Sequence, residues 1–162
     1  MRLGAVPVAA HPPHFEVRPV RDADVDSLIA LSITPEQARF VATNAKSLAQ
    51  AAYKPAGRPM GLYSNGEPVG FLLLWDARRD PDEPADQLYI WRLMIDARYQ
   101  RQGHGQAAMR WLIGEARRMG VAQIALSHLP ENPVGAFYEG FGFAYTGKVN
   151  DGEREMVLPL TG

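Results

Sequence analysis

The sequence predicts an α/β domain: a mixed, mostly antiparallel sheet flanked by helices. Three observations predict it. Short β-rich runs are joined in pairs at Asn65-Gly66 and at Asn150-Asp151-Gly152, and both joints have hairpin chemistry. One long amphipathic helical pattern separates two apolar strands, which makes a strand-helix-strand crossover in the middle of the chain. The length of 162 residues suits a single domain with a substantial core. We therefore expect a flexible tail over residues 1–13 and one domain over 14–162.

Taken in order, Phe15 to Val20 reads as a first strand, after which Asp22 caps a helix with Val25, Leu28, Ile29 and Leu31 at helical spacing. A second helix is expected from Thr34 towards Tyr53. Thr34 is its N-cap, Pro35 its first helical residue, and Gln37 completes a capping box. Pro55, Gly57 and Pro59 break the chain before a hairpin of Met60 to Ser64 with Pro68 to Trp75. Asp76 to Asp86 is a polar loop leading into the apolar strand Leu88 to Ile95. From Gly105, the positions Ala108, Met109, Leu112, Ile113, Ala116 and Met119 form one helical face, and Gly120 supplies the stop. Val121 to His128 is the next strand and Pro133 to Gly140 a short helix. Phe143 to Val149 and Glu153 to Leu160 close the fold as a hairpin.

Composition excludes several classes of function. The 17 basic and 18 acidic side chains nearly cancel, so the footprint of a nucleic-acid binder is missing and no basic helix is offered to a membrane surface. No apolar run approaches the roughly 20 residues that cross a bilayer, and the N-terminal stretch makes a poor signal peptide, so a cytoplasmic protein is expected. There is no cysteine, which removes disulfides, thiolate metal sites and a cysteine nucleophile. No His and carboxylate cluster has ligand spacing, so no metal is expected. The partner is a small molecule.

The chemistry concentrates at Gln100-Arg101-Gln102-Gly103-His104-Gly105, followed by Gln106. Two glycines where a strand gives way to a helix let backbone N–H groups and the helix's positive end face an anion closely, and Arg101 can add charge. A pyrophosphate suits such a loop. The bland alternative is a helix start with no ligand. A nicotinamide fingerprint also fits Gly103 to Ala108, but the downstream segment Gln123 to Ser127 lacks the acidic residue that such a site needs. A P-loop is excluded because no Gly-Lys-Ser/Thr follows.

The loop, through Gln100, Gly103 and Gly105, resembles the Q/R-x-x-G-x-G/A motif of the GNAT superfamily of N-acetyltransferases. Asn132, Ala136, Phe137, Tyr138, Gly142 and Phe143 are similar to that superfamily's second signature. The resemblance implies acetyl-CoA as co-substrate and direct transfer of its acetyl group to an amine. It implies that Leu93, Met94 and Ile95 offer backbone groups to the pantetheine arm, one polarising the thioester carbonyl. Asn132 would bind the pantetheine chain, and Tyr138 would protonate the departing thiolate. Without the resemblance, Tyr138 reads as a packing aromatic and Asn132 as a helix N-cap.

From Arg18 to Leu160 the chain is most similar to bacterial spermine/spermidine acetyltransferases, through the Pro35 to Ala51 run and Ile90 to Asp96. A polyamine acceptor is therefore implied, and a multiply charged ammonium calls for carboxylates and aromatic faces. Glu36 is the candidate for base or acceptor binding, with Glu83 or a water chain as alternatives. Asp80, Asp82, Glu83 and Asp86 read first as a solvated loop, His104 as a polar surface side chain and His128 as structural. Other readings are acetylation of an aminoglycoside, an amino acid or a protein amino group, and a non-catalytic acyl-CoA sensor. Dimers are common in the superfamily, so the resemblance allows a homodimer.

Overall fold

A computed structural model of the chain describes residues 14–160. The tail expected over 1–13 lies outside the described residues. The elements are β1 (Phe15–Pro19), α1 (Val25–Ile29), α2 (Asn44–Ala52), β2 (Gly57–Ser64), β3 (Glu67–Asp76), β4 (Gln87–Ile95), α3 (His104–Met119), β5 (Gln123–His128), α4 (Gly135–Glu139), β6 (Ala144–Asn150) and β7 (Glu153–Pro159). The seven strands form one sheet in the order β1-β2-β3-β4-β5-β7-β6. Every neighbouring pair is antiparallel except β4–β5, where α3 is the crossover. This is the architecture the pattern predicts.

Both hairpin turns place two consecutive residues at positive φ, Asn65 (50°) with Gly66 (78°) and Asp151 (49°) with Gly152 (80°). Such turns carry the twist of the strands they join, so the pairing of β2–β3 and β6–β7 next to each turn follows from local chemistry. The register shifts only farther along, between Leu62 and Tyr63 and between Tyr145 and Val149. Gly120 ends α3 at φ 71°, its N–H donating to Ala116 and Arg117 carbonyls. The stop is where the glycine predicts it.

Helices cover both faces of the centre of the sheet, which is why Val69 to Leu74 is buried without interruption. Leu72 and Leu74 pack under α3 with Met109, Leu112 and Ala116. Phe71 and Leu73, pointing the other way, meet Leu28 of α1 and Ala51 of α2. Ile29, assigned to the same apolar stripe by spacing, is largely exposed because α1 ends there.

The second predicted helix needs correction. Thr34 and Gln37 do exchange side-chain bonds with each other's N–H groups, both at 3.4 Å, but this capping box opens only a 3-10 turn over Gln37–Arg39. The true helix restarts at Thr43, whose hydroxyl accepts from the Lys46 N–H. A tertiary bond sets this break: buried Asn44 donates to the Leu28 carbonyl at 2.8 Å, tying the start of α2 to α1. That bond fixes the helix start against the core, and local propensity yields to it.

Two irregularities open the sheet. β4 and β5 pair only through Gln87–Gln123, Leu88–Ile124 and Tyr89–Ala125, and beyond Tyr89 they part. Opposite them, the β3–β4 register skips from Arg92 to Ile90, leaving Trp91 as the extra residue of a bulge. A cleft therefore begins where β4 loses its neighbour.

Candidate functional site

That cleft is a cavity of about 610 Å³, walled by Leu93, Met94 and Ile95 of β4, the loop and first turn of α3, the segment around α4, and Ile33 to Val41 from between α1 and α2. It gathers Glu36, Gln100, Arg101, Gly103, His104, Gly105, Gln106, Asn132 and Tyr138 with the three β4 residues. Of the residues expected there, Gln102 alone does not line it; its side chain turns back to donate to the Arg98 carbonyl at 3.2 Å.

The loop owes its shape to its sequence. Gly103 has φ 84° as the residue before α3, a conformation that favours glycine, and Arg101 at φ 61° also enters the left-handed region. Ala107 is the first N–H of α3 to find a carbonyl, that of Gly103 at 3.0 Å. The N–H groups of His104, Gly105 and Gln106 therefore open the helix without a partner one turn back. Gly105 is different from Gly103. Its φ is not positive, and an added Cβ would only touch the Phe137 ring at 3.5 Å. Neither backbone nor packing requires glycine there, yet a side chain would stand at the helix mouth.

His104 corrects the reading that placed it at the surface: it is 5% exposed. Its ring stacks on Phe15 (centroids 6.0 Å) and meets Tyr99 edge-on (6.3 Å). With Ala108, Leu112 and Ala116 it forms one i, i+4 row, so the apolar stripe of α3 begins a turn earlier than its first aliphatic residue suggests. Burial lowers its pKa below the ordinary 6.5, keeping the imidazole neutral, and Nδ1 has no partner among the described residues.

Two amides close the other side. Gln100 donates to the Ile95 carbonyl at 2.9 Å and to Gln37 Oε1 at 2.7 Å, and Gln37 donates back at 3.2 Å. Sequence reasoning used Gln37 only as a capping residue; nothing local signals its partner 63 positions away. Asp96 anchors the same corner. Its carboxylate is 2% exposed and accepts from the Ser32 N–H, the Arg98 N–H and Arg98 Nε, all at 2.9 Å. Burial alone would raise its pKa, but the bonds from Arg98 and Ser32 outweigh burial and hold it below the ordinary 3.8. A depressed carboxylate contributes stability above its ordinary pKa and loses it as pH falls through the folded value. Asp96→Asn is thus expected to cost about 1–3 kcal/mol at neutral pH, a typical figure for hydrogen bonds to a charged group. In thermal unfolding the gap from the parent should narrow below about pH 4; a constant gap would mean the carboxylate charge is not what stabilises.

On the far wall, Tyr138 is buried in α4, edge-on to Phe137 (5.1 Å) and Phe143 (5.6 Å), and burial pushes its phenol well above the usual range. α4 is set by Gly135, over which the Tyr145 hydroxyl closes so tightly that a Cβ would collide. Tyr145 is itself held by buried His128, whose Nε2 lies 2.9 Å from the hydroxyl and Nδ1 2.7 Å from the Leu129 carbonyl. With Nδ1–H donating to that carbonyl, Nε2 is left to accept from the Tyr145 hydroxyl, the structural role expected of this side chain. Asn132 is not the N-cap of α4, a place Val134 takes. Its side chain has no hydrogen-bond partner among the described residues and faces the cavity. Glu36, exposed at the rim, is the one carboxylate among the cavity's described lining residues. Glu83 lies elsewhere, in a second cavity. Among the described residues no three His, Asp or Glu gather as a metal site, and no helix is long and apolar enough to cross a membrane.

Comparison with known proteins places this geometry. The chain is 26% identical over 150 residues to the spermine/spermidine N(1)-acetyltransferase of Bacillus subtilis (strain 168), covering 90% of this chain and 99% of that one. A probable spermine N(1)-acetyltransferase of Bacillus subtilis subsp. natto matches to the same extent. In fold it resembles an aminoglycoside acetyltransferase, AAC(6')-Ib, in complex with coenzyme A (TM-score 0.73, 20% identity, 90% and 95% of the two chains). It also resembles the PaiA N-acetyltransferase of Thermoplasma acidophilum in complex with coenzyme A (TM-score 0.65, 16% identity, 90% and 98%). The model of the acetyltransferase (GNAT) family matches residues 25–143. This chain belongs to the GNAT family and is an N-acetyltransferase.

Proposed function

We propose that the chain transfers the acetyl group of acetyl-CoA to a primary amine of an aliphatic polyamine, in the cavity beside β4. The observation that carries the choice of amine is the 26% identity to a spermine/spermidine acetyltransferase, which runs along nearly the whole of both chains.

The cavity fits the co-substrate. Gly105, a glycine required by neither backbone nor packing, leaves the mouth of α3 open to a bulky anion, and the N–H groups of His104, Gly105 and Gln106 point their positive end at it. Gly103 supplies the turn, and the exposed Arg101 and Gln106 flank it. Leu93, Met94 and Ile95 run along the edge that β5 abandons, so backbone groups on that edge, other than the Ile95 carbonyl held by Gln100, can pair with an extended arm. The unpartnered Asn132 amide faces the same channel. Acetyl-CoA supplies the thioester and its thiolate leaving group; the residues hold, orient and move protons.

Glu36, as the one carboxylate on the described lining, takes the proton that the incoming ammonium must shed, directly or through water. Tyr138 keeps its own proton in its buried setting and donates it where sulfur departs. Both ends of the transfer thus have an assigned proton carrier. The test is thiol release from acetyl-CoA with spermidine, spermine, putrescine, aminoglycosides and a lysine peptide. Turnover is expected with the polyamines; turnover of another amine and of no polyamine would overturn the acceptor assignment.

A further inference from the structure

A second cavity of about 580 Å³ lies between the 76–86 loop and β4, and it shares no lining residue with the first. Its walls include Trp75, Tyr89 and Trp91, with Asp80, Glu83 and Lys54 as its charged lining. The two indoles stand edge-to-face with centroids 5.6 Å apart, and the β4 bulge is what turns Trp91 towards them.

The pocket is preformed. Buried Asp76 accepts from Arg78 N–H and Nε (3.2 and 3.0 Å), Ala85 N–H donates to the Ala77 carbonyl (3.0 Å), and Asp80 accepts from the N–H groups of Asp82 and Glu83 (2.9 and 3.2 Å). Those backbone bonds hold the Asp80 carboxyl below its usual range, so it is charged. The Glu83 carboxylate has no ion pair among the described residues. Glu153 and Glu155 of β7 are near enough to act on the Tyr89 hydroxyl, although neither lines the cavity. Against these stand Lys54, which acts on Asp80, and Arg92, whose guanidinium lies over the Trp91 ring and is engaged by Ser47 and Gln50 of α2. The balance is negative, and aromatic faces rimmed by carboxylates are the chemistry that holds an organic ammonium.

The two cavities lie along one strand, the first walled by Met94 of β4 and the second by Trp91. Trp91 and Met94 pack against one cluster on the same side of the sheet, and three residues of strand span roughly 10 Å. An extended triamine covers that distance. We propose that the second cavity holds the distal ammonium of the polyamine whose reacting amine occupies the first, an inference that rests on the polyamine reading above.

The test uses the full chain with Trp111→Phe throughout, so that emission reports Trp75 and Trp91, and compares the parent with Glu83→Gln and Trp75→Leu. Spermidine titrated into the protein saturated with coenzyme A should change emission saturably, several-fold more weakly in Glu83→Gln. In steady state, each variant should lose about tenfold in kcat/KM for spermidine and less than about twofold for butylamine, which has no second ammonium. Spermidine binding without spermidine acetylation would overturn the acceptor reading and leave the site standing. Spermidine acetylation with no variant effect, or with equal losses for both amines, would overturn the site, as would the absence of any emission change.

Discussion

Replacing Tyr138 with phenylalanine should lower turnover by about 10²- to 10⁴-fold, the range of a positioned general acid, while acetyl-CoA affinity changes little. The fold should tolerate the exchange, because the ring's contacts with Phe137 and Phe143 are made by carbon atoms that phenylalanine keeps. The pH profile adds a second check. Burial raises the phenol's pKa, so its proton is retained across the neutral and mildly alkaline range and Tyr138 should impose no falling limb there. Single-turnover rates with saturating amine separate chemistry from product release. An unchanged rate would remove Tyr138 from the mechanism.

Gly70→Ala is expected to damage both stability and the cleft beside β4. Gly70 sits opposite Ile95 in the β3–β4 ladder, and a Cβ there would lie 2.5 Å from the Met94 carbonyl oxygen, 2.9 Å from Ile95 Cδ1 and 3.0 Å from Leu62 Cδ1. The side chains can shift, but the carbonyl is backbone and moves only if β4 does. Overpacking of this kind costs roughly 1–3 kcal/mol, which for a domain of this size lowers Tm by roughly 3–10 °C. Because the strand displaced is the one that lines the cleft, acetyl-CoA should bind more weakly than the stability loss alone explains. Thermal melting and a binding titration on the same sample would decide; an unchanged melting temperature would show that β4 retreats freely.

The features legible in the sequence are those whose cause is local. Asn65-Gly66 and Asp151-Gly152 specify their turns whatever surrounds them, and the stripe from Ala108 to Ala116 with Gly120 behind it specifies α3. The loop from Gln100 to Gly105 is legible for the same reason, since glycine positions reveal where a backbone must bend or can be approached. Where a distant partner decides, the reading falls short. Asn44 answers to the Leu28 carbonyl, so the helix expected from Thr34 breaks; His104 faces Phe15, so a polar residue in a loop motif is buried. The parting of β4 from β5 leaves no mark in either strand, because pairing ends by geometry and not by a residue that forbids it. Asp80 and Glu83 stand in the exposed loop expected of them, and only the fold shows that this loop brings them to one cavity with Trp75 and Trp91.

The Gln37–Gln100 amide pair, bonded in both directions, joins the segment that carries Glu36 to the loop that carries Gly103. The two walls of the reaction chamber are mechanically one piece at that point. On the proposed function, a ligand that repositions either wall changes the standing of the other, and the exchange is symmetric: whatever factor acetyl-CoA applies to amine affinity, the amine returns. Severing the pair should weaken that coupling, while the bonds between Ser32 and the Asp96–Ala97 corner still join the two walls.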